Sequence, residues 1–471
     1  MTPSGFTTSS QTILPASFRD PDGYLYRSDG VLFRALNVSY RGNYENLINS
    51  GLYNALTEKR LLIPHTEVDI NKDVHSWLTI QPEPVTFISY PYEWCFSQLK
   101  DAALLTLDIQ FIALNHGMCL KDASAYNVQF HQGRPIFIDT LSFESYVDGM
   151  PWVAYRQFCQ HFLAPLTLMA KRDIRLGQLL RNHIDGLPLD LASNLLPKRS
   201  WTSVGILMHL HMHARTQQSF ADSHASLSKT ALKFSKVSRV GLIGLLDGLR
   251  KTIAKLEWKP GNTEWSDYYN DTNYSDNAFQ SKRRQIEVFL DNAGPKNEVW
   301  DLGANIGLFS RVASERGLFT VAFDIDPSAV EINYRQVRKD GETTILPLLL
   351  DLTNPSPGLG WNSAERDSLF DRGPVDCIMA LALIHHISIS NNVPFEKVAS
   401  FFAQLCRKSL IIEFVPKSDS QVQRLLRSRV DIFDNYTRDQ FEKAFALHFL
   451  LERAEPIEGS DRVLYLMRRK P

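Results

Sequence analysis

At 471 residues the chain exceeds one ordinary core, and at roughly 150 residues per domain it divides into two or three units. An apolar fraction of 44% suits globular packing, while 51 basic against 52 acidic residues leave a net charge of −1, which supports neither a nucleic-acid partner nor an anionic membrane. Cys95, Cys119, Cys159, Cys377 and Cys406 are scattered and form no CxxC pair, so they read as free thiols of a reducing cytoplasm rather than a disulfide framework or zinc site. No apolar run reaches the roughly 18 residues of a membrane span, and "MTPSGFTTSSQT" lacks the basic and apolar regions of a signal peptide. A cytosolic protein without a membrane partner is expected; oligomeric state is not legible.

In chain order, "VLFRAL" carries Arg34 in an apolar run, and "SQLKDAALLTLDIQFIALNHG" predicts a long helix. After it, "GMCLKDASAYNVQFHQGRPIFIDTLSFE" places Asp122 five positions before Asn127 and, beyond a hairpin-like turn at "HQGRP", Asp139. This constellation resembles the catalytic loop and metal-binding Asp of protein-kinase-like folds, over about residues 23–166. It departs from them: Leu120 and Lys121 replace the loop's His and Arg, Asp139-Thr140-Leu141 replaces Asp-Phe-Gly, no glycine-rich phosphate loop precedes it, and Arg34 is not equivalent to a nucleotide-binding lysine. An active phosphotransferase, a degenerate kinase-like module and an unrelated α+β domain all stay open, the second being favoured because the polar triad survives without the phosphate-gripping parts.

"SVGILMHLHMHA" reads as a helix, on which His209, His211 and His213 point in different directions and cannot share a metal ion. The serine-rich stretch from Thr216 to Thr230 reads as a loop. "VGLIGLLDGLRKTIAKLEW" reads as an amphipathic helix, closed near Pro260 and Gly261. "EWSDYYNDTNYSD" carries Trp265, Tyr268, Tyr269 and Tyr274, either a lid or a surface helix, followed by Lys282 and Arg283 as solvated helix charges.

From there "EVWDLG", "FTVAFD", "TILPLLLD", "DCIMALAL" and "SLIIEFV" alternate with amphipathic segments, which predicts a parallel sheet covered by helices on both faces, with ligands beyond the strands' carboxyl ends. "VWDLGANIGLF" predicts a strand ending near Asp301 and a helix starting near Ile306 or Gly307. Gly303 and Gly307 allow a tight turn, but Asn305 stands where a dinucleotide fold has its middle glycine. A carboxylate inside the turn repels phosphate and suits an ammonium group; Asp324 can accept from both hydroxyls of a ribose, and Asp351 from an adenine amino group. A cation, a ribose and an adenine together describe S-adenosylmethionine.

"DLGANIG", "AFDIDPSAVE", "LLLDL" and "DCIMALALIHHI" resemble, in order, the motifs of class I S-adenosylmethionine-dependent methyltransferases, over about residues 265–469. "DRVLYLMRR" resembles the last strand of that family's antiparallel pair. More narrowly, "WSDYYNDTNYSDNAFQSKR", "LALIHHISISNNVP" and "EFVPKSDSQVQRLL" resemble the NoeA-like bacterial methyltransferases. The fold class implied is α/β: a Rossmann-like doubly wound methyltransferase domain (261–471) behind an α+β, helix-rich, kinase-like region made of an N-terminal lobe (1–90) and a mostly helical lobe (91–260).

The resemblance implies S-adenosyl-L-methionine as cofactor, held by Asp301, Gly303, Asn305, Gly307, Asp324, Asp351 and Leu352. Acceptor-side candidates are His385 and His386, the right residue type for a general base, and Glu413; no metal is required. The absence of an Asn-Pro-Pro-Tyr or Asp-Pro-Pro-Tyr stretch disfavours a nucleobase or amide acceptor and leaves an oxygen or amine of a small molecule, sugar or protein. The competing readings are an NAD enzyme of similar architecture, a cofactor-sensing scaffold without turnover, and a bifunctional protein with an ATP-binding first half.

Overall fold

The computed structural model describes residues 11–69, 76–212, 237–261, 276–427 and 430–471. The aromatic stretch around Trp265 to Tyr274, His213 and the serine-rich stretch lie outside the described residues. The first half opens with an antiparallel sheet in the order β1 (Gln11–Ile13), β2 (Gly23–Ser28), β3 (Val31–Asn37), β5 (Ser76–Pro82), β4 (His65–Val68). Asp29 and Gly30, both at positive φ (51° and 83°), make the two-residue turn between β2 and β3. Helices Arg41–Asn49 and Leu52–Glu58 connect β3 to β4.

The long helix falls at Phe96–Asn115 and leads into β6 (Met118–Leu120), the hairpin β7 (Val128–His131) and β8 (Arg134–Phe137), and β9 (Phe143–Ser145), which pairs with β6. The hairpin turns at Gln132 and Gly133, within the predicted "HQGRP".

The second half is a seven-stranded sheet. Its strands are β10 (Glu298–Leu302), β11 (Phe319–Asp324), β12 (Ile345–Leu349), β13 (Val375–Ala380), β14 (Cys406–Phe414), β15 (Phe449–Pro456) and β16 (Val463–Arg469). They lie in the order β12-β11-β10-β13-β14-β16-β15. The first five run parallel; β16 is antiparallel to both β14 and β15. Strand order reverses between β10 and β13, and the crevice at such a switch point is where sheets of this kind take their ligands.

Side-chain alternation divides the sheet into two faces. Val299, Cys377, Met379 and Ile411 pack on Ile286 and Phe289 of helix Asp276–Ala293. Trp300, Phe323 and Leu348 point the other way and enter a core shared with the first half. There the ring of Phe87 meets Trp300 and Phe323 edge-on, with centroids 5.7 and 5.9 Å apart. The expected all-helical cover therefore holds for one face only. On the other, the segment between β12 and β13 supplies only the short helices Trp361–Ser363 and Leu369–Arg372, and side chains from the first half complete the cover.

Polar contacts reinforce this seam. Gln98 Nε2 donates to the Pro347 carbonyl at 2.9 Å, and the Ser97 N–H donates to Glu331 Oε2 at 2.9 Å. The Arg372 guanidinium grips Glu93 through two bonds of 2.9 and 2.6 Å, with both side chains nearly excluded from water (4% and 1% exposed). Glu93 also accepts from Ser356 Oγ at 2.7 Å and the Tyr90 N–H at 3.0 Å. Removing one member of such a pair leaves the other charge buried and uncompensated, so Arg372→Ala should lower the free energy of unfolding by about 3–5 kcal/mol in urea denaturation. A loss below about 1 kcal/mol, the size of an exposed pair, would mean that apolar contact alone holds the seam.

Candidate functional site

Beyond the carboxyl ends of β10, β11 and β12 lies a cleft of about 340 Å³, within the range of small-molecule sites. Asp301, Gly303, Asn305, Asp324, Asp351 and Leu352 line it, six of the seven residues expected to bind the cofactor. Gly307 is not in the wall; its part is conformational. It sits at φ 79°, and a Cβ there would come within 2.4 Å of Asn333 Nδ2. The helix starts at Ser310 rather than near Ile306 or Gly307, because Asn305 (φ 51°) and Gly307 both take left-handed conformations that break a right-handed turn.

The turn is held from β11. The N–H groups of Gly303 and Ala304 both donate to the Phe323 carbonyl at 2.9 Å, and the Asn305 N–H donates to Asp324 Oδ2 at 2.7 Å. Asp324 Oδ1 accepts from the Asp326 N–H at 2.8 Å, and Asp326 caps helix Pro327–Asp340 through the Ser328 N–H. Asp351 is braced by the Thr353 N–H and hydroxyl at 2.8 and 2.6 Å.

Asp301 is 1% exposed. Its Oδ2 accepts from Ser310 Oγ at 2.6 Å, while Oδ1 has no hydrogen-bond partner. Burial pushes its carboxyl up to about 7, against the Ser310 bond and the Lys282 charge, which lower it. Burial likewise raises Asp324 to about 6, opposed by the backbone N–H groups of Asp326 and Asn305.

Lys282, expected to be a solvated helix charge, is 2% exposed and forms part of the cleft floor. The helix is amphipathic, and Lys282 lies four residues from both Ala278 and Ile286 of the buried stripe; that spacing was the signal for its burial. Its ammonium donates to Glu413 Oε2 at 2.6 Å and stands 4.5 Å from the centroid of the Phe309 ring. Burial lowers its pKa from the usual value, and Glu413 opposes the shift. Arg283, by contrast, is partly exposed and pairs with Glu287 and Glu315.

The three acceptor-side candidates separate. Glu413 lies outside the cleft wall, fully buried, where it also accepts from the Ala382 N–H at 2.8 Å and from Arg462 Nη1 at 3.3 Å. His385 is fully buried as well, outside the wall, with neither ring nitrogen hydrogen-bonded. Burial, reinforced by His386, Arg462 and Lys282, pushes its pKa well below the ordinary histidine range. His386 does line the cleft, but burial lowers it to about 4, so neither imidazole titrates where a general base for neutral pH should. The segment His386–Ser390 is a π-helical turn, whose wider repeat brings His386, Ile387, Ser390 and Asn391 to the cleft together.

In the first half, Asp139 and Asp122 do approach each other. Arg34 Nη1 pairs with Asp139 Oδ1 at 2.7 Å and Nη2 with Asp20 at 2.6 Å, while Lys121 pairs with Asp22. Asn127 Nδ2 donates to Ser142 Oγ at 3.2 Å, and Asp122 accepts from the Ser124 N–H at 2.9 Å. Among the described residues no cluster of three or more His, Cys, Asp or Glu is placed to hold a metal ion. His209 bonds to Tyr155, and His211 to Ser193 and Ser200. All five cysteines are free and buried, and no described helix is long and apolar enough to cross a membrane.

Strand order, the antiparallel closing pair and a cleft ringed by strand-end carboxylates define the class I methyltransferase type of fold. No family model matches the chain. It belongs to the NoeA family: it is 34% identical over 468 residues to nodulation protein NoeA of Rhizobium meliloti (strain 1021), covering 96% of this chain and 95% of that one. Among solved structures it is similar to the magnesium protoporphyrin IX methyltransferase ChlM of Synechocystis PCC 6803 with bound SAH, at 16% identity over 44% of this chain and 93% of that one, with a TM-score of 0.31. It is also similar to the N-methyltransferase NodS of Bradyrhizobium japonicum WM9, at 9% identity over 42% and 99%, with a TM-score of 0.30.

Gly307→Ala should cost about 1–3 kcal/mol of stability, since alanine resists positive φ and its methyl meets the buried Asn333 amide. Denaturant unfolding checks this; an unchanged midpoint would mean that the turn has an alternative conformation of equal energy.

Proposed function

We propose that the chain is an S-adenosyl-L-methionine-dependent methyltransferase that methylates an oxygen or amine of an acceptor yet to be identified, whether small molecule, sugar or protein. The observation that carries this reading is the unpartnered Oδ1 of Asp301, buried in the wall of a cleft that Asp324 and Asp351 also line. A buried carboxylate oxygen without a donor costs stability, and a ligand ammonium would supply one. In this reading Asp324 accepts from the ribose hydroxyls, Asp351 and Leu352 border the adenine, and the backbone freedom of Gly303 lets the ligand lie close to the turn. The cofactor supplies an activated methyl group, and the chain's task is to align the acceptor and keep water out.

His386, Ser390 and Asn391 are the polar groups on the acceptor side. A neutral imidazole with a pKa near 4 orients an acceptor better than it stores a proton, which favours an amine that brings its own lone pair. We read the first half as non-catalytic: Arg34 bridges Asp20 and Asp139, so the carboxylate that would hold a metal is already neutralised. A cofactor-sensing scaffold remains the second reading, and turnover separates the two.

Two measurements test the cofactor assignment. Asp324→Ala should weaken binding of S-adenosylhomocysteine in calorimetry by tenfold or more, since two charge-assisted bonds are lost; unchanged affinity would sink the assignment. Binding should also tighten as pH rises from 5.5 to 8, by up to about tenfold per unit for each carboxyl that must ionise. The sign follows from the raised values, about 7 for Asp301 and about 6 for Asp324, below which each acid is protonated and accepts poorly. Without ligand the same shifts act oppositely: the folded state holds these protons more tightly, so their contribution to stability declines as pH rises from about 4 to about 7. A flat affinity profile would place both acids outside the binding interaction.

A further inference from the structure

Resting on the reading that the cleft takes S-adenosylmethionine, we propose that Lys282 is the residue that holds the carboxylate of its amino-acid end, beside the ammonium at Asp301. Three observations lead there. The amino-acid end of the ligand is a zwitterion, and carrying it into a buried site requires a fixed charge of each sign. Lys282 is the one lysine or arginine among the described residues lining the cleft, where His386 is neutral. Asp301 and Lys282 also lie near enough for each charge to act on the other, the lysine favouring the ionised acid and the acid the ionised lysine.

The ammonium is also immobilised, as a binding group should be. Glu413 fixes it at 2.6 Å, and the Phe309 ring lies on its other side. Glu413 is in turn met by Arg462, whose guanidinium donates to Asp419 at 2.7 and 3.1 Å. These four side chains alternate in sign and sum to zero, so Lys282 needs no further anion for neutrality. Its contact with Glu413 does not exhaust its function, since an ammonium can donate to more than one oxygen. A purely structural pair could have been built away from the ligand; this one borders the cleft on the same side as the orphaned oxygen of Asp301.

The test alters the ligand and the protein in turn. Full-length protein is titrated calorimetrically with S-adenosylhomocysteine, with the same compound lacking only the carboxylate, and with 5′-methylthioadenosine, which lacks the amino-acid end. The wild type should bind the first at least tenfold more tightly than the second. Lys282→Met should remove that difference by weakening the first while leaving the other two unchanged, and Lys282→Arg should retain part of it. Equal weakening of all three ligands by Lys282→Met would show a structural role and overturn the proposal.

Should Lys282→Met not fold, the wild type decides alone: equal affinity with and without the carboxylate overturns the proposal. Binding of 5′-methylthioadenosine in that case would leave the cofactor reading standing. Failure of the wild type to bind any of the three would overturn that reading and this inference with it.

Discussion

The site depends on a line of buried charges beneath the carboxyl edge of the sheet. Lys282 comes from the helix before the first strand, Glu413 from β14, Asp419 from the cap of helix Ser420–Leu426, and Arg462 from the residue preceding β16. Charges removed from water are tolerated only when each meets its opposite, so the four segments must dock together or not at all. Glu413 does more than neutralise: it accepts from the N–H of Ala382, which sits at φ 50° where the chain leaves β13 for the cleft wall. A residue held in a sparsely populated conformation by a buried carboxylate is a strained element that its surroundings over-determine.

A second constraint is that the two halves share one core. Because Phe87, Trp94 and their neighbours cover Trp300 and Phe323, the first half replaces a layer that a doubly wound sheet ordinarily obtains from its own crossovers. The segment that follows the cleft residues Asp351 to Thr353 runs directly onto this seam. Ser356 reaches Glu93, Arg181 donates to the Pro355 carbonyl at 3.0 Å, and Arg366 lies 4.2 Å over the Tyr126 ring. The adenine side of the cleft is thereby anchored on residues far away in sequence, which gives the large first half a mechanical part in the site whatever else it does.

Legibility in the sequence follows the range of the interactions. The strands and the turn at Gly303 were readable because each rests on a local pattern: an apolar run, a carboxylate at its end, a glycine where φ turns positive. The placement of Asp301, Asp324 and Asp351 around one cleft was readable for the same reason, since strand order brings strand ends together. Lys282 was misread because a charge on a helix is normally solvated; only its register with Ala278 and Ile286 revealed otherwise. The shared core was not visible, since nothing near Phe87 or Trp300 signals that the two rings meet. The histidine pair has the right residue type for a base, but its titration is decided by burial and by Arg462 and Lys282, which reach it through the fold.

These strands of argument meet in the electrostatics of the cleft. The four-membered line is neutral within itself, so the charge of Asp301 is what the floor leaves uncompensated, and Asp324 adds another at the neighbouring strand end. Burial holds both carboxyls near the pH at which they ionise. A ligand that brings an ammonium and a sulfonium, with hydroxyl donors alongside, favours the ionised form of each; one that brings phosphates opposes it. Selection between an S-adenosyl ligand and a dinucleotide thus follows from two acids and a missing glycine at Asn305, without any side chain that excludes the dinucleotide by contact.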